Sequence, residues 1–293
     1  EREADEQGLK GRERMEFLAP TKKKCKVLYL IPTLLLVVGI LCYCKFAARL
    51  FDFLYDHISF WTVLDVIVPL GVSYYTFSSV GYLLDIYWRK QKPMDNYFKY
   101  LLCVSYFPQI VQGPIARYHK LAGEIFKEHS FDYKRVCFGL QLMLYGYFKK
   151  LVIADRLALF TQKVFGNIAD YEGLTIVIAL IFSTFQLYMD FSACMDIVRG
   201  ASQIFGIQLD ENFRHPFCSK SAAEFWRRWH ITLGTWFKDY VYMPVVTSGF
   251  LAKLTSFIKN KWGKDLAKKI NASIPLAVVW LLTGLWHGTG WNY

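Results

Sequence analysis

The chain has 293 residues, of which 54% are hydrophobic and 18% aromatic, with positive mean hydropathy and a formal net charge of +11. This composition excludes an ordinary soluble domain and predicts an all-α, polytopic membrane protein. The basic residues flank apolar runs and form no continuous stripe, which argues against nucleic-acid binding.

The first predicted membrane span covers residues 27–44, which carry no charge and follow a cluster of lysines. Lysines beside a span face the cytoplasm, so residues 1–26 are predicted to be a cytoplasmic juxtamembrane segment and residues 27–293 a membrane domain. No hydrophobic signal core precedes the span, so no secretory peptide is predicted. The start at Glu1 and the end at Tyr293, just after an apolar run, indicate a fragment that lacks helices on both sides.

The next three elements are predicted from hydropathy and spacing. Residues 45–60 place apolar side chains at helical spacing among charges, which predicts an interfacial helix. Residues 61–87 are long enough to cross the membrane, with a break at 69–71, and end in a second basic stop at 88–92. Residues 97–111 are apolar but too short to span, which predicts a re-entrant or half-buried element.

Three later membrane helices are predicted at residues 136–148, 174–189 and 274–286. The second of these runs continues into Asp190 and Asp196. Because these two carboxylates are not spaced to share a helix face, helix capping or helix pairing is favoured over a carboxylate dyad.

Two histidines lie in this membrane setting, where an ionisable residue indicates a functional site. His287 follows the last apolar run, and His230 lies among aromatic residues and two arginines. Ser221 with Glu224 predicts a helix start of the capping-box type. We expect that helix to continue through His230 and to place the imidazole near its apolar side. A packing role for either histidine stays open.

Other chemistries are weakly supported. Neither histidine has metal-ligand spacing and the seven cysteines form no CxxC pair, so no metal site is predicted. No GxSxG nucleophile motif occurs. Arg227 and Arg228 are either positive-inside residues or ligands for the phosphates of an anionic donor. Gln109, Gln112 and Arg117 cluster around two prolines and either form a turn or line a polar cavity.

A series of ordered motifs within residues 66–290 closely resembles the membrane-bound O-acyltransferase (MBOAT) family, in its bacterial alginate O-acetylation (AlgI-like) branch. The motifs are PLGVSYYTF (69–77) with DIY (85–87), FPQ (107–109), GPI (113–115), RY (117–118), KK (149–150), ADR (154–156), DFS (190–192), ENF (211–213), WRRWHITL (226–233) and GLWHG (284–288). The D-alanyl transfer (DltB-like) branch shares the architecture and both histidines. The sequences of residues 211–213 and 227–233 are more similar to the acetylation branch, whereas residues 192–195 depart from the usual family motif.

The resemblance implies the MBOAT helical fold, with re-entrant and interfacial helices, and specific site residues. His287 is the implied catalytic residue, and we expect it to act as the general base toward a hydroxyl. His230 is the second implied catalytic position, and we expect it to orient the donor or to polarise its carbonyl. Substrate binding is predicted for Arg227, Arg228, Trp226, Gln112 and Asn212.

The implied reaction moves an acyl group, most simply acetyl, from a cytoplasmic donor across a bacterial plasma membrane to a cell-surface polysaccharide. The donor would be acetyl-CoA or an acyl carrier, with no tightly bound cofactor, and an exported acetyltransferase-like or esterase-like partner would complete the ester. Three alternatives stay open: D-alanyl transfer to teichoic acid, transport of an acylated carrier along a path lined by the histidines, and an inactive fragment that keeps only packing motifs.

Overall fold

The computed structural model describes residues 20–21, 24–57 and 69–288, and of residues 47–57 it describes the backbone only. Within these ranges the protein is all-α with no β-strand, which confirms the predicted fold class. The α-helices are α1 (Ile31–His57), α2 (Val72–Tyr87), α3 (Tyr97–Val104), α4 (Phe107–Ile110), α5 (Tyr118–Ile125), α6 (Tyr133–Tyr147), α7 (Asp155–Gly166), α8 (Leu174–Ile204), α9 (Ala222–Arg228), α10 (Ile231–Phe237), α11 (Met243–Val246), α12 (Gly249–Trp262) and α13 (Lys264–His287). Three π-helical segments join neighbouring helices: Lys26–Leu30, Phe148–Ala154 and Lys238–Tyr242.

Four helical stretches of the described chain are long and apolar enough to cross a membrane. They are Lys26–Phe46, Tyr133–Gly166, Leu174–Ile204 and Lys264–His287. Each lies where an uncharged run predicted a span, so those four spans are confirmed. Large apolar side chains such as Leu36, Leu180 and Leu281 are exposed on them, as expected for helices that face lipid. The protein is therefore a multi-pass membrane protein.

Two consecutive helical segments, joined at a bend, could together form a fifth membrane crossing. Ile231–Val246 and Gly249–Trp262 are jointly long and apolar enough, and they meet at an angle of 56°. Such a bend describes either a broken span or a re-entrant loop. The sequence did not predict this element because lysines interrupt its apolar runs.

The predicted interfacial helix at residues 45–60 is not a separate element. Helix α1 runs without a break to His57, because neither glycine nor proline occurs between Lys45 and His57. The helical prediction is confirmed to that residue, and residues 58–60 lie outside the described ranges.

The predicted break at residues 69–71 is confirmed. Helix α2 begins directly after Gly71, whose φ of +80° lies in the left-handed region. A Cβ atom at Gly71 would lie 2.7 Å from the Ile110 carbonyl oxygen, so the glycine also allows close packing of the chain. Residues 61–68 of this predicted span lie outside the described ranges.

Residues 97–111 form two short helices, α3 and α4, neither of which can span, as predicted. Their inner side is buried, since Cys103 and Val104 pack in one apolar cluster with Tyr118 and Leu121 of α5. The half-buried character of this segment is therefore confirmed.

Helices α6 and α8 approach closely because small residues face each other. A Cβ atom at Gly139 would lie 2.8 Å from the Gly200 carbonyl oxygen, so a larger side chain would separate the helices. Ion pairs continue the contact: Lys149 lies 2.5 Å from Asp196, and Lys150 lies 2.8 Å from Asp190. The prediction of helix pairing for the two aspartates is confirmed.

The prediction that one helix carries both Ser221 and His230 is wrong. Ser221 does cap a helix, because its hydroxyl accepts the Glu224 N–H at 3.2 Å, but that helix, α9, ends at Arg228. Trp229 is extended and His230 has a φ of +45°, so His230 lies in the break before α10. The sequence spacing therefore does not define a face for its imidazole.

Candidate active site

The break between α9 and α10 places His230 in a strained, buried position. A left-handed backbone is uncommon outside glycine, and such strain concentrates at functional sites. The side chain is only 8% exposed. A buried imidazole on a strained turn requires support from its neighbours.

Asn212 supplies that support. Its backbone oxygen accepts the Ile231 N–H at 3.0 Å, and its side-chain Oδ1 accepts both the N–H and the hydroxyl of Thr232, each at 3.0 Å. Asn212 therefore caps α10 from outside the helix, which explains why the chain breaks at His230 rather than continuing as one helix. The amide itself is 1% exposed.

The same amide oxygen fixes the protonation of His230. A backbone N–H can only donate, so the atom that meets the Thr232 N–H must be the Asn212 oxygen. His230 Nδ1 lies 3.1 Å from that oxygen and must therefore carry a hydrogen. In the neutral ring this leaves the lone pair on Nε2.

The surroundings keep His230 neutral. Burial, with a smaller effect from the nearby His287, lowers the pKa of His230 to about 3. Phe191 of α8 packs edge-on against the imidazole with ring centroids 4.8 Å apart. From the other side of the amide, Asn212 Nδ2 contacts Met195 Sδ at 3.1 Å. One segment of α8 thus supports both residues.

The structure brings the two histidines together through one indole. His287 is the last residue of α13 and is exposed, and its ring centroid lies 4.5 Å from that of Trp286. The Trp286 ring lies 6.4 Å from the ring of His230. Residues 57 positions apart in the sequence are therefore neighbours, as expected for parts of one site.

Lys45 of α1 also belongs to this site, and the sequence analysis missed it. Its Nζ donates a hydrogen bond to the Trp286 carbonyl oxygen and lies 5.4 Å from the Trp286 ring centroid. Cations near the last carbonyls of a helix stabilise that end. The sequence did contain one indication of this residue: Lys45 is the first charge after the uncharged residues 27–44, on a helix that continues past it.

The polar loop between α4 and α5 adjoins the site. The Ile115 N–H donates to the Thr232 hydroxyl at 3.0 Å. Gln109 is fully buried and donates to the Pro114 carbonyl at 3.0 Å, which supports the turn interpretation. Arg117 pairs with Asp239 at 2.6 Å. Gln112 is exposed, and its role in binding stays a prediction.

Three of the predicted substrate-binding residues lie on α9. Arg228 pairs with Glu224 at 2.6 Å, and Arg227 is exposed. Trp226 is 47% exposed and contacts Trp280 of α13 with ring centroids 4.8 Å apart. Substrate binding by these side chains stays a prediction, but the Trp226–Trp280 contact joins α9 to the helix that carries His287.

Comparison with known proteins identifies relatives of this chain. The family model described as MBOAT, membrane-bound O-acyltransferase family, matches residues 32–258, which include Asn212 and His230 and end before His287. The chain is 30% identical over 284 residues to the peptidoglycan O-acetyltransferase of Helicobacter pylori, a match that covers 88% of the chain and 50% of the relative.

Two further relatives extend the comparison. The probable alginate O-acetylase AlgI of Pseudomonas aeruginosa is 32% identical over 228 residues, with 78% of the chain and 40% of the relative covered. The teichoic acid D-alanyltransferase of Bacillus subtilis is 29% identical over 238 residues, with 76% and 55% covered. The chain spans about half the length of the curated relatives it matches.

Proposed function

The chain belongs to the membrane-bound O-acyltransferase family, and on this basis we propose that it moves an acyl group, most simply acetyl, across the membrane for the O-acylation of a cell-surface polysaccharide. The acyl group comes from a cytoplasmic donor and crosses a bacterial plasma membrane through this protein. The relatives named as O-acetylases and an O-acetyltransferase favour acetyl as the group.

One observation carries the proposal. Asn212 holds His230 in a single neutral tautomer, and Trp286 connects that ring to His287. Two imidazoles with a fixed relation to each other suit proton transfer between a hydroxyl and a leaving group. Packing alone does not require a buried histidine with its lone pair held on one nitrogen.

His287 is the general base in this mechanism. The acceptor hydroxyl oxygen attacks the donor carbonyl carbon while the hydroxyl proton passes to the imidazole of His287. Collapse of the tetrahedral intermediate breaks the bond to the leaving group, which takes the proton back. Such a base contributes typically ~10²–10⁴ in rate.

His230 acts as a hydrogen-bond acceptor in this mechanism. Its Nδ1–H is used by Asn212, so a neutral ring has no N–H left to polarise a carbonyl. The Nε2 lone pair instead supports orientation of a hydroxyl or N–H group of the substrates. This revises the carbonyl-polarising role expected from the sequence.

The donor and the partner complete the proposal. Acetyl-CoA or an acyl carrier supplies the group without a tightly bound cofactor, with Arg227 and Arg228 as the candidate contacts for donor phosphates. An exported acetyltransferase-like or esterase-like protein completes the ester on the polysaccharide. Similarity to the D-alanyltransferase makes D-alanyl transfer to teichoic acid the second candidate.

A complementation experiment tests the proposal with the natural donor and partner present. Cells that lack the gene receive the wild-type protein, His287→Ala or His215→Ala, and the acyl groups released from the cell surface by mild base are identified. We expect acetate with the wild type and with His215→Ala, an exposed histidine that shares the left-handed backbone of His230. We expect none with His287→Ala at equal membrane content.

Other outcomes separate the alternatives. Released D-alanine would support the second candidate. Normal acetate with His287→Ala would contradict the catalytic assignment. Transport of an acylated carrier by purified protein without any acyl transfer would overturn the enzyme proposal in favour of a transporter.

A further inference from the structure

Acyl transfer requires a hydrogen-bond donor to the carbonyl oxygen, and neither His230 nor His287 supplies one in the proposed roles. Negative charge develops on the carbonyl oxygen in the transition state, and hydrogen-bond donors aimed at it give a large part of the rate enhancement. His230 uses its N–H on Asn212, and His287 as a base must present a lone pair. Another donor is therefore needed beside them.

Trp286 carries such a donor. Its indole Nε1–H is buried and has no hydrogen-bond partner in the described part of the protein. Buried polar groups in folded proteins are nearly always paired, so an unpaired one calls for an explanation such as catalysis or an absent ligand. The nearby Trp236 follows the rule, since its Nε1–H donates to the Phe77 carbonyl at 3.1 Å.

The indole is held firmly in place between the histidines. Its ring contacts His287 at 4.5 Å and Phe77 at 5.4 Å, measured between centroids. Lys45 binds the carbonyl oxygen of the same residue and lies against the ring. A donor fixed before the reaction needs no reorganisation when charge develops, which is the condition for effective stabilisation.

We propose that Trp286 is a further catalytic residue, whose indole N–H donates to the carbonyl oxygen of the acyl donor and stabilises the oxyanion of the tetrahedral intermediate. The C=O electron pair moves onto oxygen as the hydroxyl attacks and returns when the leaving group departs, so the indole keeps its hydrogen throughout. The inference rests on the proposed acyl transfer.

The experiment removes the N–H with the least change in shape. Trp286 is replaced by benzothienylalanine, in which sulfur takes the place of the indole N–H, and by Phe in a second variant. Trp236→Phe is the matched control. Initial rates of acyl transfer from labelled acetyl donor are measured in membranes and normalised to folded protein, together with thermal unfolding in detergent.

Opposite effects are expected for the two tryptophans. Both changes at Trp286 should lower kcat by about 10²–10³-fold, the effect of losing one oxyanion donor, with donor KM changed by less than about threefold. Trp236→Phe should lower the unfolding temperature and keep the rate per folded molecule, because its N–H is used in packing.

The outcomes of the inference and of the proposed function are distinct. A wild-type rate with benzothienylalanine at position 286 would overturn the inference even if Trp286→Phe failed to fold. An active wild-type protein keeps the proposed function in either case. An inactive wild-type protein would count against acyl transfer itself and would remove the basis of the inference.

Discussion

Replacing Asn212 tests whether this amide holds His230 as a hydrogen-bond acceptor. In Asn212→Ala the His230 Nδ1–H and the two donors of Thr232 lose their shared oxygen together. Each bond contributes about 1 kcal/mol net, so the free energy of unfolding should fall by about 3 kcal/mol. The released ring can also move its hydrogen to Nε2, and transfer should fall about 10²-fold or more.

Asn212→Asp tests the effect of a negative charge beside His230 while the hydrogen-bond acceptor is kept. The aspartate keeps an acceptor oxygen near His230 but adds a negative charge, which favours the imidazolium and raises the pKa of His230 from its value of about 3. Because the neutral ring is the active form, activity should be lost on acidification at a higher pH than in the wild type.

Both variants are assayed in the same way. Acyl transfer per folded molecule is measured in membranes between about pH 5 and about pH 8, and unfolding is measured in detergent. Asn96→Ala is the control, because the Asn96 side chain caps α3 by accepting the N–H groups of Phe98 and Lys99. It should cost about 1 kcal/mol and leave transfer unchanged. Wild-type transfer by Asn212→Ala, with an unchanged pH profile, would show that His230 works without the Asn212 oxygen.

Three further changes probe the packing and the new site residue. Lys149→Met leaves the half-buried Asp196 without its cation and should lower the free energy of unfolding by up to about 3 kcal/mol, whereas adding Asp196→Leu should restore most of it. A double variant as unstable as the single one would contradict the pairing. Gly200→Leu should push α6 away from α8 and lower the unfolding temperature, and an unchanged temperature would show that the helices tolerate separation. Lys45→Met should lower the rate of acyl transfer by about 10-fold or more, with partial recovery in Lys45→Arg, because the cation binds the Trp286 carbonyl oxygen. Equal rates in the wild type, Lys45→Met and Lys45→Arg would show that Lys45 does not position Trp286 for transfer.

The positions of the four confirmed spans could be predicted because they depend on local composition, but the ends of the helices could not. An uncharged run of sufficient length must be helical in lipid, since backbone groups there have no water to bind. The extension of α8 beyond Asp190 could not be predicted, because the cation that pairs with Asp190, Lys150, lies 40 positions earlier in the sequence. The packing of α6 against α8 at Gly139 also could not be predicted, because it depends on Gly200, which lies on a different helix.

The sequence singled out His230 and His287 as site residues, and that role stays a prediction, but the geometry around His230 could not be predicted. Spacing placed His230 on a continuous helix, whereas an amide from residue 212 ends that continuity and caps the next helix. Lys45 escaped notice because its partner, Trp286, lies at the opposite end of the sequence. Long-range hydrogen bonds of this kind leave no periodic signal.

In the proposed reaction His287 transfers the proton, next to a His230 held in one tautomer by Asn212. The most direct measurement is single-turnover transfer of labelled acetyl from donor to hydroxyl acceptor in membranes, comparing the wild type with His287→Ala. His287→Ala should slow the chemical step by about 10²–10⁴-fold, and His215→Ala should equal the wild type. Equal single-turnover rates for the wild type and His287→Ala would show that His287 is not the base.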